Sequence, residues 1–225
     1  MPKPVTTRAP KSKLKLIFGL ISITVLLSII GVLIMAAGTA FENWTRVCCG
    51  NNLRQIALEI RTYSDENDGQ YPSELGTLIL THGLSAESFV CGNTDDGILR
   101  APPAQQAATL LSGGHCSYVY VGAGMNISAG ANDVVAFELP DNHGREGGNV
   151  VYGDGHVSWV LFDALVQLVG ELEAGRNPPV IRTLTAGQAK TMYKQKWVPK
   201  LASIKDGTWA ALLPRPATRP SAEAK

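Results

Sequence analysis

The sequence lacks the signatures of the common enzyme classes and of nucleic-acid-binding proteins. It contains no paired CxxC motif, no glycine-rich phosphate loop and no recognised nucleophile motif. Its 20 lysine and arginine residues are nearly balanced by 19 aspartate and glutamate residues, for a net charge of +1. Because nucleic-acid binding depends on a surplus of positive charge, this balance gives no support for such a partner. We therefore expect a protein that is not an enzyme and does not bind nucleic acid.

Acidic residues are absent before Glu42, and the early basic residues all lie on one side of an apolar run. This run, residues 16–38, has 23 residues without a charge. As a helix it would extend roughly 34 Å, enough to cross a hydrocarbon core of about 30 Å. The preceding basic residues are Lys3, Arg8, Lys11, Lys13 and Lys15. Since basic residues favour the cytoplasmic side, the sequence predicts a single-pass inner-membrane protein with a cytoplasmic N-terminus and a periplasmic or extracellular C-terminal domain.

A cleaved signal peptide is the alternative for this run, because Gly38, Thr39 and Ala40 are small residues at a plausible cleavage position. The apolar region of a signal peptide is usually about 7 to 15 residues, which is shorter than the run seen here. A permanent anchor is therefore the preferred prediction, and the lipid bilayer is the first expected partner.

A second helical pattern follows the apolar run without a break. Large apolar side chains recur every three to four residues, the spacing of an amphipathic helix. They are Phe41, Trp44, Cys48, Ile56, Ile60 and Tyr63. Turn-forming residues follow, so the helix is predicted to end near residue 66. Its apolar face needs a cover, and a small sheet formed by the rest of the chain would supply one.

Four later segments are typical of β-strands: residues 117–124, 133–139, 149–152 and 156–161. The last two flank Asp154 and Gly155, a pair that tolerates positive φ and favours a tight hairpin turn. The sequence therefore predicts an α+β fold in which a long N-terminal helix, transmembrane and then extending into the ectodomain, packs on a small antiparallel β-sheet.

The segment CCGNNLRQIALEIRTYSDENDGQYP, residues 48–72, resembles the region after the membrane helix in type IV pilin-like proteins and type II secretion pseudopilins. Cys91, SYVYVGAG, DVVAFELPDNH and GGNVVYGDGHVSWV are similar to the pilin-like proteins abundant in planctomycete-type bacteria. That family often ends in His, nine residues and Asp-Gly, whereas ten residues separate His143 from Asp154 here. The resemblance implies a pilin-like fold.

The resemblance also implies a function: a structural component of a type II secretion or type IV pilus-related system, packing with other pilin-like subunits or secretion-system proteins. Two prepilin features differ here. Gly19 is preceded by Ile17 and Phe18 rather than by a charge, and Thr24 occupies the position of the expected glutamate. The alternative is therefore a non-polymerising periplasmic domain on a membrane anchor, which binds a glycan, a protein or calcium.

Cysteine pairs close under the oxidising conditions that an exported domain meets. A Cys91–Cys116 disulfide is predicted, closing a loop of about 26 residues and stabilising the fold by about 3 kcal/mol on the loop-entropy model. Cys48 and Cys49 are adjacent on a predicted helix and point about 100° apart, so they cannot both face one partner. The sequence does not assign their role.

Metal binding has candidate residues but no recognised motif, so no metal or other cofactor is predicted. His143, Asp154 and His156 offer two nitrogens and a carboxylate, which would suit zinc and, as a third hypothesis, a metal hydrolase. The hairpin turn already accounts for Asp154 and Gly155. Calcium is a weaker alternative, with oxygen ligands from turn residues. These are Asp65, Asn67 and Asp68, or Asp95 and Asp96.

The chain is predicted to divide into six segments. They are a basic cytoplasmic segment at 1–14, the transmembrane helix at 15–38, the ectodomain part of the helix at 39–66, the pilin-like domain at 67–161, a C-terminal helical extension at 162–213 and a tail at 214–225. The tail, PRPATRPSAEAK, is predicted to be disordered because its composition cannot bury a core.

Overall fold

Helix α1, Lys11–Glu66, is the longest element of the protein and contains 56 residues. The computed structural model describes residues 11–110 and 115–200, with side chains for all of these except residues 11–14, 186 and 200. The chain forms two units, residues 1–43 and residues 44–225. The basic segment before residue 11, the end of the C-terminal extension and the tail at 214–225 lie outside the described residues.

The first unit contains the apolar part of α1. Its large apolar side chains are exposed, from 43% at Ile30 to 73% at Met35. The hydroxyls of Thr24 and Ser28 donate to the backbone carbonyls of Leu20 and Thr24, each at 2.9 Å, so neither needs water. By length and composition this helix can cross a membrane. Its orientation and compartment stay predictions.

Four strands form one antiparallel sheet in the order of the chain. The strands are β1 (Tyr118–Tyr120), β2 (Val134–Glu138), β3 (Gly147–Tyr152) and β4 (Val157–Leu161). In the turn between β3 and β4, Gly155 has a φ of 87° and its N–H donates to the Tyr152 carbonyl at 2.8 Å. The prediction of an α+β fold with a long N-terminal helix and a small antiparallel sheet is confirmed.

The second half of α1 covers one face of this sheet. Leu53, Ile56 and Ile60 are at most 3% exposed and share an apolar core with Ala136 and Val151. Helices α2 (Gly76–His82) and α3 (Pro103–Thr109) complete this side of the domain. The three-to-four spacing of the buried residues is the one that an amphipathic helix requires.

The start of the predicted apolar stripe differs in the structure. Phe41 and Trp44 are 53% and 62% exposed, and Cys48 is half-buried. The buried positions are instead Thr45 and Cys49. At this end of the stripe, the size of a side chain does not predict its burial, because a small polar residue and a thiol face the sheet there.

The other face of the sheet is covered by the C-terminal region. Helix α4 (Phe162–Glu173) and helix α5 (Ala186–Met192) lead into a helical turn, Tyr193–Trp197. Phe137 of β2 packs beside Trp197, with ring centroids 6.5 Å apart. Every residue of β2 is buried, because the strand has a core on both sides. The described part of the predicted C-terminal extension therefore covers the second face of the sheet.

Truncating Ile56 tests the core between α1 and the sheet. We expect Ile56→Ala to lower the free energy of unfolding by about 2–5 kcal/mol, because the side chain is fully buried and leaves a cavity. Leu58→Ala is the matched control on the same helix: Leu58 is 63% exposed and should change stability by less than about 0.5 kcal/mol. Guanidinium unfolding of the full chain in detergent, followed by tryptophan fluorescence, measures both. Equal losses would contradict the proposed packing.

Candidate metal centre

Four side chains from different parts of the chain meet inside the second unit. Cys49 comes from α1, Cys91 follows the helical turn Ala86–Phe89, Glu138 ends β2, and His143 ends the helical turn Pro140–His143. Their sulfur, nitrogen and oxygen atoms all lie within 4.8 Å of one another. Each of the four residues is at most 1% exposed. Two thiols, a carboxylate and an imidazole therefore converge in the protein interior.

The distances within this four-residue cluster are short. Cys49 Sγ and Cys91 Sγ are 2.6 Å apart, Cys91 Sγ and His143 Nε2 are 3.6 Å apart, and His143 Nε2 lies 3.4 Å from Glu138 Oε1. Neighbouring sulfur and nitrogen ligands of tetrahedral zinc lie about 3.6 Å apart, from bond lengths of roughly 2.3 and 2.0 Å. The distances from His143 Nε2 to Cys91 Sγ and to Glu138 Oε1 are close to this value.

Asn149 of β3 holds the Glu138 carboxylate. Its backbone N–H and its side-chain amide donate to Glu138 Oε2 at 2.7 and 2.9 Å, while Glu138 Oε1 faces His143. A Cβ at Gly148 would lie 3.0 Å from the Glu138 Cβ and carbonyl oxygen. Glycine at this position therefore lets β3 approach Glu138 closely.

The loops that carry Cys91 and His143 are joined through Ser117. The Cys91 N–H donates to Ser117 Oγ at 2.8 Å, and the Asn142 side chain donates to the Ser117 carbonyl at 2.9 Å. The His143 ring meets Trp159 of β4 edge-on, with centroids 5.4 Å apart. These contacts place the thiol and the imidazole on the same side of the sheet as Cys49.

The cluster perturbs the acidity of its own members. The hydrogen bond to Cys91, together with burial, raises the pKa of the Cys49 thiol well above its usual range. Burial lowers the pKa of His143, but hydrogen bonds with Cys49 and Glu138 outweigh it and raise that pKa to about 9. Burial and the contact with Cys91 therefore both favour the neutral form of the Cys49 thiol.

The predicted Cys91–Cys116 disulfide is not formed in the structure, where all four cysteines are free thiols. The sulfur next to Cys91 belongs to Cys49, while the Cys116 thiol donates to the Tyr118 carbonyl at 3.2 Å. The correction has a simple cause. Sequence spacing suggested a loop closure, whereas the packing of α1 on the sheet brings a residue 42 positions away to Cys91.

The candidate set of His143, Asp154 and His156, which the sequence offered without predicting a metal site, is divided in the structure. His143 is buried in the four-residue cluster. Asp154 and His156 lie at the β3–β4 turn with 44% of each side chain exposed, and His156 Nδ1 lies 2.5 Å from Asp154 Oδ1. The hydrogen bond from the His156 backbone N–H, followed by this side-chain pairing, lowers the pKa of Asp154. The hairpin geometry, which fixes where both side chains point, separates them from His143.

The oxygen-rich turns proposed for calcium have other roles. Asn67 donates from its side chain to the Tyr63 carbonyl at 2.7 Å, and Asp68 adopts a φ of 51° at the end of α1. Asp96 Oδ2 accepts from Ser117 Oγ at 2.6 Å. Within residues 11–110 and 115–200, the cluster around Cys49 is the only group of three or more His, Cys, Asp or Glu side chains spaced for a metal.

Sequence reasoning missed Cys49 and Glu138 as members of this site. A signal for Glu138 existed: it is the one charged residue in the run VVAFELP, which otherwise reads as a buried strand. A carboxylate in such a position requires a partner. Cys49 had no comparable local signal, because the choice between Cys48 and Cys49 depends on how α1 is rotated against the sheet.

Searches of protein-family models, of curated proteins and of solved structures find no match to this chain. The resemblance to pilin-like proteins therefore rests on the sequence segments given above.

Thiol labelling tests the burial of the cysteines. We expect a maleimide at about pH 8 to modify Cys48 in the folded full chain, because thiolates are the reactive form and Cys48 is only half-buried. Cys116 should react only after unfolding, since burial raises its pKa to about 12. Peptide mass spectrometry with and without concentrated guanidinium measures both sites. Labelling of Cys116 as fast as Cys48 in the folded protein would contradict the structure.

Proposed function

We propose that this protein is a membrane-anchored, pilin-like structural component of a type II secretion or type IV pilus-related system, which acts by subunit packing. The observation that carries the proposal is helix α1. Its first part is long, apolar and exposed, and its last part forms the core of an α+β domain with a four-stranded antiparallel sheet. The order of motifs in residues 48–72 supports the same class of protein.

The charge distribution supports an orientation for the anchor. Basic residues precede the apolar run, and no acidic residue occurs before Glu42. The N-terminus is then cytoplasmic, and the domain from Trp44 onward is periplasmic or extracellular.

The apolar part of α1 supports a role in packing rather than in catalysis. Its exposed side chains have the composition that contacts lipid or other apolar helices. Inside a bilayer such helices associate through close van der Waals packing, since lipid tails are as apolar as leucine. The Thr24 hydroxyl donates to the Leu20 carbonyl of the same helix. Because this hydroxyl needs no outside partner, an apolar partner can contact Thr24 as well.

The N-terminus of the mature protein tests the anchor. We expect intact mass and N-terminal sequencing of the chain from its native membrane to retain the apolar run, either uncut or cut within residues 16–22. An end within 16–22 would support prepilin processing, and an uncut end would favour a permanent anchor without polymerisation. An end near Phe41 would contradict membrane anchoring, because it would release the domain.

Crosslinking in the membrane tests subunit packing. A photo-crosslinking residue at Leu27, which is 63% exposed in the apolar run, should give adducts with further copies of this chain or with other apolar helices. The matched control is Leu80 on α2, which is 57% exposed in the second unit and should give no such ladder. Lipid adducts alone at Leu27 would contradict the packing proposal.

A surface pocket favours the second candidate, a non-polymerising binding domain. The pocket has a volume of about 470 Å³ and is lined by Arg54 and Arg61 of α1, together with Tyr71, Tyr152 and Asp154. This volume lies in the range of small-ligand sites. With two arginines and one aspartate among its lining residues, the pocket suits an anionic sugar better than a cation. A binding role would therefore involve an acidic glycan rather than calcium.

An anionic oligosaccharide tests this pocket. If the binding role holds, calorimetry on the full chain should detect binding that Arg61→Ala weakens roughly tenfold, the loss of about 1.4 kcal/mol. Arg176→Ala is the control, since Arg176 is an exposed arginine paired with Glu171 and does not line the pocket. Equal binding of a neutral oligosaccharide, or no effect of Arg61→Ala, would contradict the binding role.

A further inference from the structure

We propose that Cys49, Cys91, Glu138 and His143 form a structural zinc site that joins α1 to the sheet. This inference goes beyond the proposed function and does not depend on it, because no step of the packing argument uses these four residues. It rests on the donor set, the geometry, the burial and the surrounding hydrogen bonds of the cluster.

The donor set selects the metal. Two sulfurs, one imidazole nitrogen and one carboxylate oxygen are the ligand types that zinc takes in tetrahedral sites. Thiolate ligands do not suit magnesium or calcium, which take oxygen ligands. Four protein ligands also complete the coordination of zinc without a solvent molecule.

Zinc binding would require one small change in the distances within the cluster. The Cys91–His143 and His143–Glu138 distances of 3.6 and 3.4 Å already match ligand edges around one ion. Two thiolates on the same zinc would lie about 3.8 Å apart. The sulfurs of Cys49 and Cys91, now 2.6 Å apart, would therefore separate by roughly 1 Å, a change that a side-chain rotation can supply.

Burial indicates a structural role. Cys49, Cys91 and Glu138 have no exposed surface, and His143 is 1% exposed. A catalytic zinc site keeps one position open for water or substrate, whereas a structural site is closed by four protein ligands. With each of these four residues at most 1% exposed, the described part of the chain leaves a substrate no surface of the cluster to contact.

The alternative for the sulfur pair is a Cys49–Cys91 disulfide, formed by loss of two electrons and two protons to an external oxidant. Such a bond would account for the two sulfurs. It would not account for the buried carboxylate and imidazole that lie beside those sulfurs. A zinc ion accounts for all four groups, because it neutralises the thiolates and the carboxylate that burial otherwise disfavours.

Asn149 acts as a positioning residue in this proposal. Its two hydrogen bonds to Glu138 Oε2 turn Oε1 towards the ion, the arrangement by which second-shell groups orient a ligating carboxylate. Its side chain also donates to the Arg46 carbonyl at 3.1 Å, which connects the same carboxylate to α1.

The first experiment measures metal in the unmodified protein. We expect one zinc ion per chain by elemental analysis of the full chain, purified in detergent without chelators. X-ray absorption should report two sulfur and two nitrogen or oxygen neighbours. A metal-free protein whose mass shows a Cys49–Cys91 disulfide would overturn the proposal, and so would zinc without sulfur neighbours.

Substitutions then locate the ion. Cys91→Ser and His143→Asn should lose the zinc, while Cys116→Ser and His156→Asn should keep it. Cys116 is also buried, but its thiol donates to the Tyr118 carbonyl, and His156 lies at the exposed hairpin turn. Zinc that is retained in both Cys91→Ser and His143→Asn would overturn the assignment to this cluster.

A variant that keeps all four ligands separates an effect on zinc binding from a loss of folding. Asn149→Ala should fold, as judged by circular dichroism, and should bind zinc about 10–100-fold more weakly in a chelator competition. Cobalt added to the metal-free wild-type chain should give the visible bands of a tetrahedral thiolate site. Unchanged zinc affinity in Asn149→Ala, or no cobalt–thiolate band, would count against the proposal. None of these measurements depends on N-terminal processing or crosslinking, so the two proposals can fail separately.

Discussion

The contact between the second half of α1 and the sheet is the constraint on which the rest of the domain depends. β2 is buried on both faces, so it must be covered on two sides before it can leave water. Leu53 and Ile56 supply one cover, and each fully buried side chain of this kind contributes about 1.5–3 kcal/mol. Leu165 and Trp197 supply the other cover from the C-terminal region. The sheet has only four short strands and would be marginal without both.

Next to this apolar contact, the described part of the chain buries a carboxylate and an imidazole. Glu138 and His143 have no exposed side-chain surface and lie beside two thiols. Burying a carboxylate and an imidazole is unfavourable unless every polar atom finds a partner. Asn149 donates two hydrogen bonds to Glu138 Oε2, and a bound cation would contact both Glu138 Oε1 and His143 Nε2. The position of the cluster between α1, β2 and the loops explains how a site of four residues can hold several elements in place.

The surface of α1 serves different purposes along its length. In the first unit the helix exposes apolar side chains and satisfies its hydroxyls on its own backbone. In the second unit one stripe is buried, while Arg54 and Arg61 face a pocket with Tyr152. The proposed packing role would use the exposed apolar side chains of the first unit. The alternative binding role would use the pocket of the second unit.

Local patterns in the sequence determined the apolar helix, the positions of the strands and the hairpin at Gly155. Each depends on neighbours within a few residues: charge-free length, three-to-four or alternating spacing, and a residue that accepts positive φ. The segment predicted as a helical extension contains α4 and α5, and α5 begins at Thr185, whose side chain accepts from the Gln188 N–H at 3.3 Å.

Only the tertiary structure decided which cysteine meets Cys91, why Glu138 is buried, and that residues 162–200 cover the sheet. Cys49 and His143 are far apart in the sequence, and they meet because the rotation of α1 and the register of β2 and β3 place them together. That rotation and register are set by packing over the whole domain, which local spacing does not encode. The chemistry of the candidate metal centre therefore depends on long-range contacts, while the elements that carry it were readable from the sequence.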